Sequence, residues 1–393
     1  MTYIACKTIF MHRLFICTII SIAAFSANAT DSLYAKKVVD TLSSPYFLGR
    51  GYINDGMKKA ADYIEQELRS INASPTFSNK FQQRFDYPVN TFPGALSLEI
   101  NGIPLKPGND FIVGNESRSV KASGELIKKD SATFVFPDKR IIIKLVDKLT
   151  WSVDGKQEDY TSFNILKSAV KGNPQTFATV VDAKLIKSFD ANNISGFFKG
   201  TAVPDSFLVF TAHYDHLGAM GKDAYFAGAN DNASGVALIL SLAQYYATHP
   251  QRYSVLFIAF AGEEAGLLGS KYFVDHSPIN IKKMRFLTNL DLMGNGEEGV
   301  TVVNATEFPK EFQLLQDINT KSNYLATVGS RGKAANSDHY WFTEKGIPSF
   351  FIYTLGKRKY YHDVDDVAST LPLFEMKDLQ SMLIEFNDKL QAR

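Results

Sequence analysis

Three stretches of this 393-residue chain could do chemistry, and each adjoins an apolar run. Phe207-Leu208-Val209-Phe210-Thr211-Ala212 leads into His213-Tyr214-Asp215-His216-Leu217-Gly218. Gly228-Ala229-Asn230-Asp231-Asn232-Ala233-Ser234-Gly235 opens a helix-like stretch, and Val255 to Ala261 leads into Gly262-Glu263-Glu264. Zinc and hard cations take imidazole and carboxylate ligands that converge from separate elements, so the pattern predicts a metal centre. Two more candidates lie downstream: Asp291 ends the run Phe286 to Leu290, and His362 follows the run Ser349 to Tyr353. A lone histidine after a strand is usually structural. Four strand ends delivering only His, Asp and Glu to one edge are hard to assign to packing.

The elements that must position these residues alternate. Strands are predicted at Ile194–Phe198, Phe207–Thr211, Ser254–Phe260, Arg285–Leu290, Val300–Val303 and Ser349–Tyr353. Helices are predicted at Ser234–Thr248, Gly266–Asp275, Lys310–Lys321 and Leu373–Leu390. Strands apolar on both faces, separated by helices, imply an α/β fold with a mostly parallel or mixed sheet covered by helices on both sides. Such sheets bind ligands beyond the carboxyl ends of their strands, where most of the candidates fall.

Four segments precede or compose this arrangement. Residues 1–29 carry only Lys7 and Arg13 as charges, an apolar run from Leu14 to Phe25, and small residues Ala27-Asn28-Ala29. This reads as a secretory signal peptide cleaved after Ala29, with Met11 a second possible start, and the run is short for a membrane anchor. Both cysteines, Cys6 and Cys17, lie inside it, so the mature chain would be free of disulfides. Residues 30–89 look helical, broken at Leu42-Ser43-Ser44-Pro45, with a loop at Gly49-Arg50-Gly51. Residues 90–187 read as a small β-rich lobe with no chemical cluster, inserted before a catalytic domain at 188–393 and shaping access to it. Taking Lys7 and Arg13 from 42 basic residues leaves near balance with 41 acidic ones, which offers no electrostatic footprint for nucleic acid or an anionic membrane.

Together these segments resemble the M28 family of zinc metallopeptidases, in its bacterial double-zinc aminopeptidase group. The matching residues are His213 to Gly218, Gly228 to Gly235, Gly262-Glu263-Glu264, Asn289-Leu290-Asp291-Leu292-Met293-Gly294 and Tyr361-His362. The resemblance spans about Asn192 to Leu390, with a further likeness over Leu42 to Leu68. The 90–187 lobe is only faintly like the protease-associated domain of some members, and short for one. Position by position, the resemblance implies two Zn2+ ions bridged by Asp231, with His213 and Asp291 completing one site and Glu264 and His362 the other. It implies Glu263 as general base, Asp215 as the group orienting His213, Tyr361 as a donor to the oxyanion, and a cis peptide between Asp231 and Asn232. A bridging carboxylate can hold two divalent ions about 3.5–4 Å apart, sharing one nucleophile.

The activity expected is that of a secreted or periplasmic exopeptidase, an aminopeptidase acting on peptide or protein substrates. Glutaminyl cyclase, or a carboxypeptidase for acidic residues, would use the same fold; one zinc per chain favours the cyclase, two the peptidase. A binding protein on this fold would lack ligands or base, and none is missing. His216 competes with His213, Glu263 with Glu264, and His339 with His362, whose orienting partner would be Asp366. His249 and His276 are expected at helix ends. Oligomeric state and side-chain preference are not encoded in these motifs.

Overall fold

A computed structural model describes residues 33–392, so the expected signal peptide lies outside the described residues. No described helix is long and apolar enough to cross a membrane.

The centre is a nine-stranded mixed sheet. Four strands run parallel through its middle in the order Tyr253–Phe260, Val203–His213, Met284–Leu290, Ser349–Leu355. Lys184–Phe198 joins antiparallel on one side and Gly299–Val303 on the other, where Val328–Ser330 adds a parallel edge. Successive side chains of a strand point to opposite faces, and here both faces are buried. Val255, Phe257 and Ala259 enter one core with the helices Gly235–Thr248 and Met376–Gln391. Their neighbours Leu256, Ile258 and Phe260 enter another with Phe273 and Phe342. Two-sided burial explains the unbroken apolar runs in the sequence.

The expected helices form at Gly235–Thr248, Leu268–Asp275, Pro309–Ser322 and Met376–Gln391. The first ends at His249, whose φ of −123° and ψ of 79° leave the helical region before Pro250. Upstream, residues 33–42 and Gly56–Ser70 are helical. The helical reading stops short of Ser74, which begins an edge strand, and Gln82–Thr91 pairs with Lys184–Phe198 as a long ribbon.

That ribbon carries the β-rich insertion. Between its strands lie a five-stranded and a four-stranded sheet, with the Asn101-Gly102 turn in left-handed conformation joining Leu96–Ile100 to Ile103–Leu105. Phe111, Phe134, Phe163 and Trp151 build its own core, which Phe226 of the main domain enters.

Candidate metal centre

His213 is the last residue of its strand, Asp291 follows Leu290, and Glu263 and Glu264 stand just past Phe260. Three neighbouring parallel strands therefore deliver these groups to one edge. Asp231 lies in an irregular turn at Ala229–Ser234 before the first long helix, and the Asp231–Asn232 peptide is cis. His362 comes from the loop after Leu355, with a φ of 54°.

The five residues named as ligands converge. His213 Nε2 lies 3.4 Å from Asp231 Oδ1 and 3.3 Å from Asp291 Oδ1. His362 Nε2 lies 3.3 Å from Asp231 Oδ2 and 3.1 Å from Glu264 Oε2. Donors bonded to one tetrahedral zinc at about 2.0–2.1 Å stand about 3.3 Å apart, so all four separations fit a shared cation. Asp291 Oδ1 is buried without a hydrogen-bond partner despite its closeness to the imidazole, an arrangement a cation would satisfy. Ligand atoms of His213, Asp231 and Glu264 also cluster within 4.8 Å of one another, as do those of His213, Glu263 and Asp291. Asp231, with one oxygen toward each histidine, is placed to serve both sides.

The neighbouring glutamates are held in opposite states. Burial drives the Glu263 carboxyl well above its usual range; His213 opposes this, while Asp338 and Asp291 reinforce it. Glu264 is also desolvated and repelled by Asp231, but His362 and His216 outweigh both and bring it down to about 2. Adjacent carboxyls pushed apart in this way can take different roles.

The supporting residues differ in part from expectation. Asp215 stands 3.8 Å by its carboxylate from His213 Nδ1, which instead lies 3.1 Å from the Asp215 carbonyl oxygen. The Asp215 carboxylate accepts the backbone N–H groups of Glu263 and Glu264 at 3.2 and 3.3 Å. It thus holds the glutamate turn more directly than the imidazole. Asp366 does not reach His362; it accepts the N–H groups of Asn230 and Asp231 at 2.8 and 3.0 Å. His362 Nδ1 donates to the Trp151 carbonyl at 2.8 Å, and the Trp151 N–H donates back to the His362 carbonyl at 3.0 Å. The lobe expected to carry no chemistry therefore orients a candidate ligand.

His216 is fully buried with Nδ1 2.7 Å from Glu264 Oε1, so it braces that glutamate. His339 is buried against Phe351 and hydrogen-bonds through neither ring nitrogen. Tyr361 stacks on the His362 ring at 3.9 Å. His249 and His276 sit at helix C-termini, their Nδ1 atoms beside the Tyr245 and Tyr272 carbonyls.

Arg50 has a part at the site that its loop motif does not announce. Fully buried, its guanidinium donates to the carbonyls of Leu42, Tyr214, Ala227, Gly228 and Asp231, tying together both segments that carry His213 and Asp231. Gly49 and Gly51 flank it because a Cβ at either would run into the backbone of Gly218. Two glycines around an arginine read as an ordinary loop; the signal was there without a direction. A buried chain from Thr211 through Asn289 and Ser337 reaches Asp291, the last of the candidate ligands.

The groups border a cavity of about 320 Å³, walled also by Leu292, Phe351 and Tyr353. Residues 193–386 match peptidase family M28. The Bacillus subtilis aminopeptidase YwaD is 26% identical over 83% of this chain and 67% of its own length. A probable zinc metalloprotease of Pyrenophora tritici-repentis is 31% identical over 39% of this chain, which spans 37% of that protein. Among solved structures, an aminopeptidase from Aneurinibacillus sp. strain AM-1 superposes with a TM-score of 0.67 at 20% identity, over 92% of this chain and 94% of its own.

Proposed function

The chain belongs to peptidase family M28 and is a zinc metallopeptidase, and on that premise we propose that it is an exported di-zinc aminopeptidase releasing residues from peptide N-termini. The observation that carries the reading is Asp231 presenting one oxygen to His213 and the other to His362, with Asp291 and Glu264 behind them. His213 and Asp291 would hold one zinc, Glu264 and His362 the other. The ions, when bound, supply Lewis acidity toward a water and toward the scissile carbonyl.

The chain's own residues do the rest. Glu263 borders the cavity beside His213 and Asp291 without being one of the five proposed ligands, so its carboxylate takes a proton from the attacking water and returns it to the leaving amine. Asp215 holds the Glu263 backbone in place for this. Tyr361 lines the same cavity and can offer its phenol to the developing oxyanion. Export rests on the sequence of residues 1–29 alone.

The test is purified mature enzyme against aminoacyl substrates with free and blocked N-termini. Hydrolysis confined to the free amines is expected. Equal cleavage of both would sink the aminopeptidase reading.

A further inference from the structure

Outside the proposed ligands and base, one charged side chain among the described residues lines the catalytic cavity: Arg331. It is exposed, and no described residue forms an ion pair or hydrogen bond with its guanidinium. Its backbone, by contrast, is fixed. Arg331 follows the edge strand Val328–Ser330, its N–H donates to the Val302 carbonyl at 2.9 Å, and its own carbonyl accepts from Ala305 at 3.1 Å. A firmly based, unpartnered guanidinium at the mouth of a site is suited to planar recognition of a carboxylate.

The rest of the cavity sharpens this. Its walls beyond the ligands and Glu263 are Leu292, Phe351, Tyr353 and Tyr361, none of which can neutralise an anion, with Asn336 the remaining neighbour. At about 320 Å³ it stands at the small end of ligand cavities, suited to a short peptide more than to a folded chain. In a short peptide the free carboxylate lies only a residue or two from the bond cut at the N-terminus.

We propose that Arg331 binds a substrate carboxylate, so that the preferred class is short peptides with an acidic group close to the scissile bond. This rests on the peptidase reading above. The carboxylate has two sources: the C-terminal α-carboxylate of a di- or tripeptide, or an acidic side chain just after the N-terminal residue.

Calorimetric titration separates them. Zinc-loaded Glu263→Gln protein, with and without Arg331→Met, is titrated with alanyl-alanine and its C-terminal amide, then with alanyl-glutamate amide and alanyl-glutamine amide. The acid of at least one pair is expected to bind roughly tenfold tighter, as one charge-assisted pair implies, and the pair showing it identifies the source. Arg331→Met erases that gap while leaving the amides unchanged, and raising salt narrows it. Equal affinity within both pairs, no binding of either acid, or a gap that survives Arg331→Met would overturn the proposal. Hydrolysis by the wild-type enzyme is followed separately. Turnover without acid preference removes the Arg331 assignment alone; preference without turnover removes the peptidase reading alone.

Discussion

At the scale of single residues, adjacent glutamates are set to different work by what they touch. Glu264 meets two imidazoles and stays ionised; Glu263 meets none within hydrogen-bond range, so it is left free to exchange a proton, and in the metal-free protein burial pushes its carboxyl up. Glu263→Gln is therefore expected to lower kcat by about 10²–10⁴ while zinc content is unchanged, the range typical of losing a general base. Glu264→Gln is expected to lose zinc. Paired activity and metal assays check both, and the opposite pattern would mean that the roles are exchanged. The residue types at these positions were legible because, with both cysteines confined to residues 1–29, zinc has His, Asp and Glu side chains to bind. The roles of Arg50 and Asp366 were not, because both act on backbone atoms, and a sequence does not say whose carbonyl or N–H a buried side chain will meet.

At the scale of elements, the insertion is part of the site. Trp151 stacks on Phe226 at 4.7 Å, donates from its indole to the Val113 carbonyl, and brackets His362 through its own backbone. A partner on the far nitrogen of a ligating histidine typically accounts for about 10- to 100-fold in metal affinity. Trp151→Phe keeps the stack but removes the indole donor. The backbone carbonyl facing His362 stays in place, so the variant acts only by loosening the segment that carries it. It is expected to weaken the zinc bound by His362 by at most about tenfold and to spare the other, as read by chelator competition. Equal effects on both ions, or none, would detach the lobe from the metal site. Strand and helix positions in the main domain were legible, since burial on both faces leaves long apolar runs between turn signals. Of the long ribbon of Gln82–Thr91 and Lys184–Phe198 only the end at Ile194–Phe198 was legible, because the outer part mixes polar and half-exposed positions and lacks an apolar run.

At the scale of the whole molecule, the centre gathers more negative charge than the protein alone can hold comfortably. In the metal-free protein burial raises Asp215 and Asp366 to about 6 and Asp338 to about 7, while carboxylates around His362 outweigh its desolvation and raise it to about 11. Each of these folded-state values lies above the ordinary one, 3.8 for Asp and 6.5 for His, so protonation favours folding in every case. The carboxyl contribution is complete near pH 4 and is lost as pH rises through 6 to 7; that of His362 begins to fade above 6.5. Metal-free protein is thus expected to melt at a lower temperature at pH 8 than at pH 5, and zinc at pH 8 to reverse the loss. A metal-free melting temperature that rises from pH 5 to pH 8 would contradict this.

The same charge imbalance leads to the most direct test of a two-ion centre with Asp231 shared between its halves. Zinc bound per chain is counted by elemental analysis after equilibrium dialysis of the wild type, His362→Ala and Asp231→Asn. The expected result is two, one and none. A single zinc in the wild type, or two retained in Asp231→Asn, would contradict the shared bridge and the mechanism built on it.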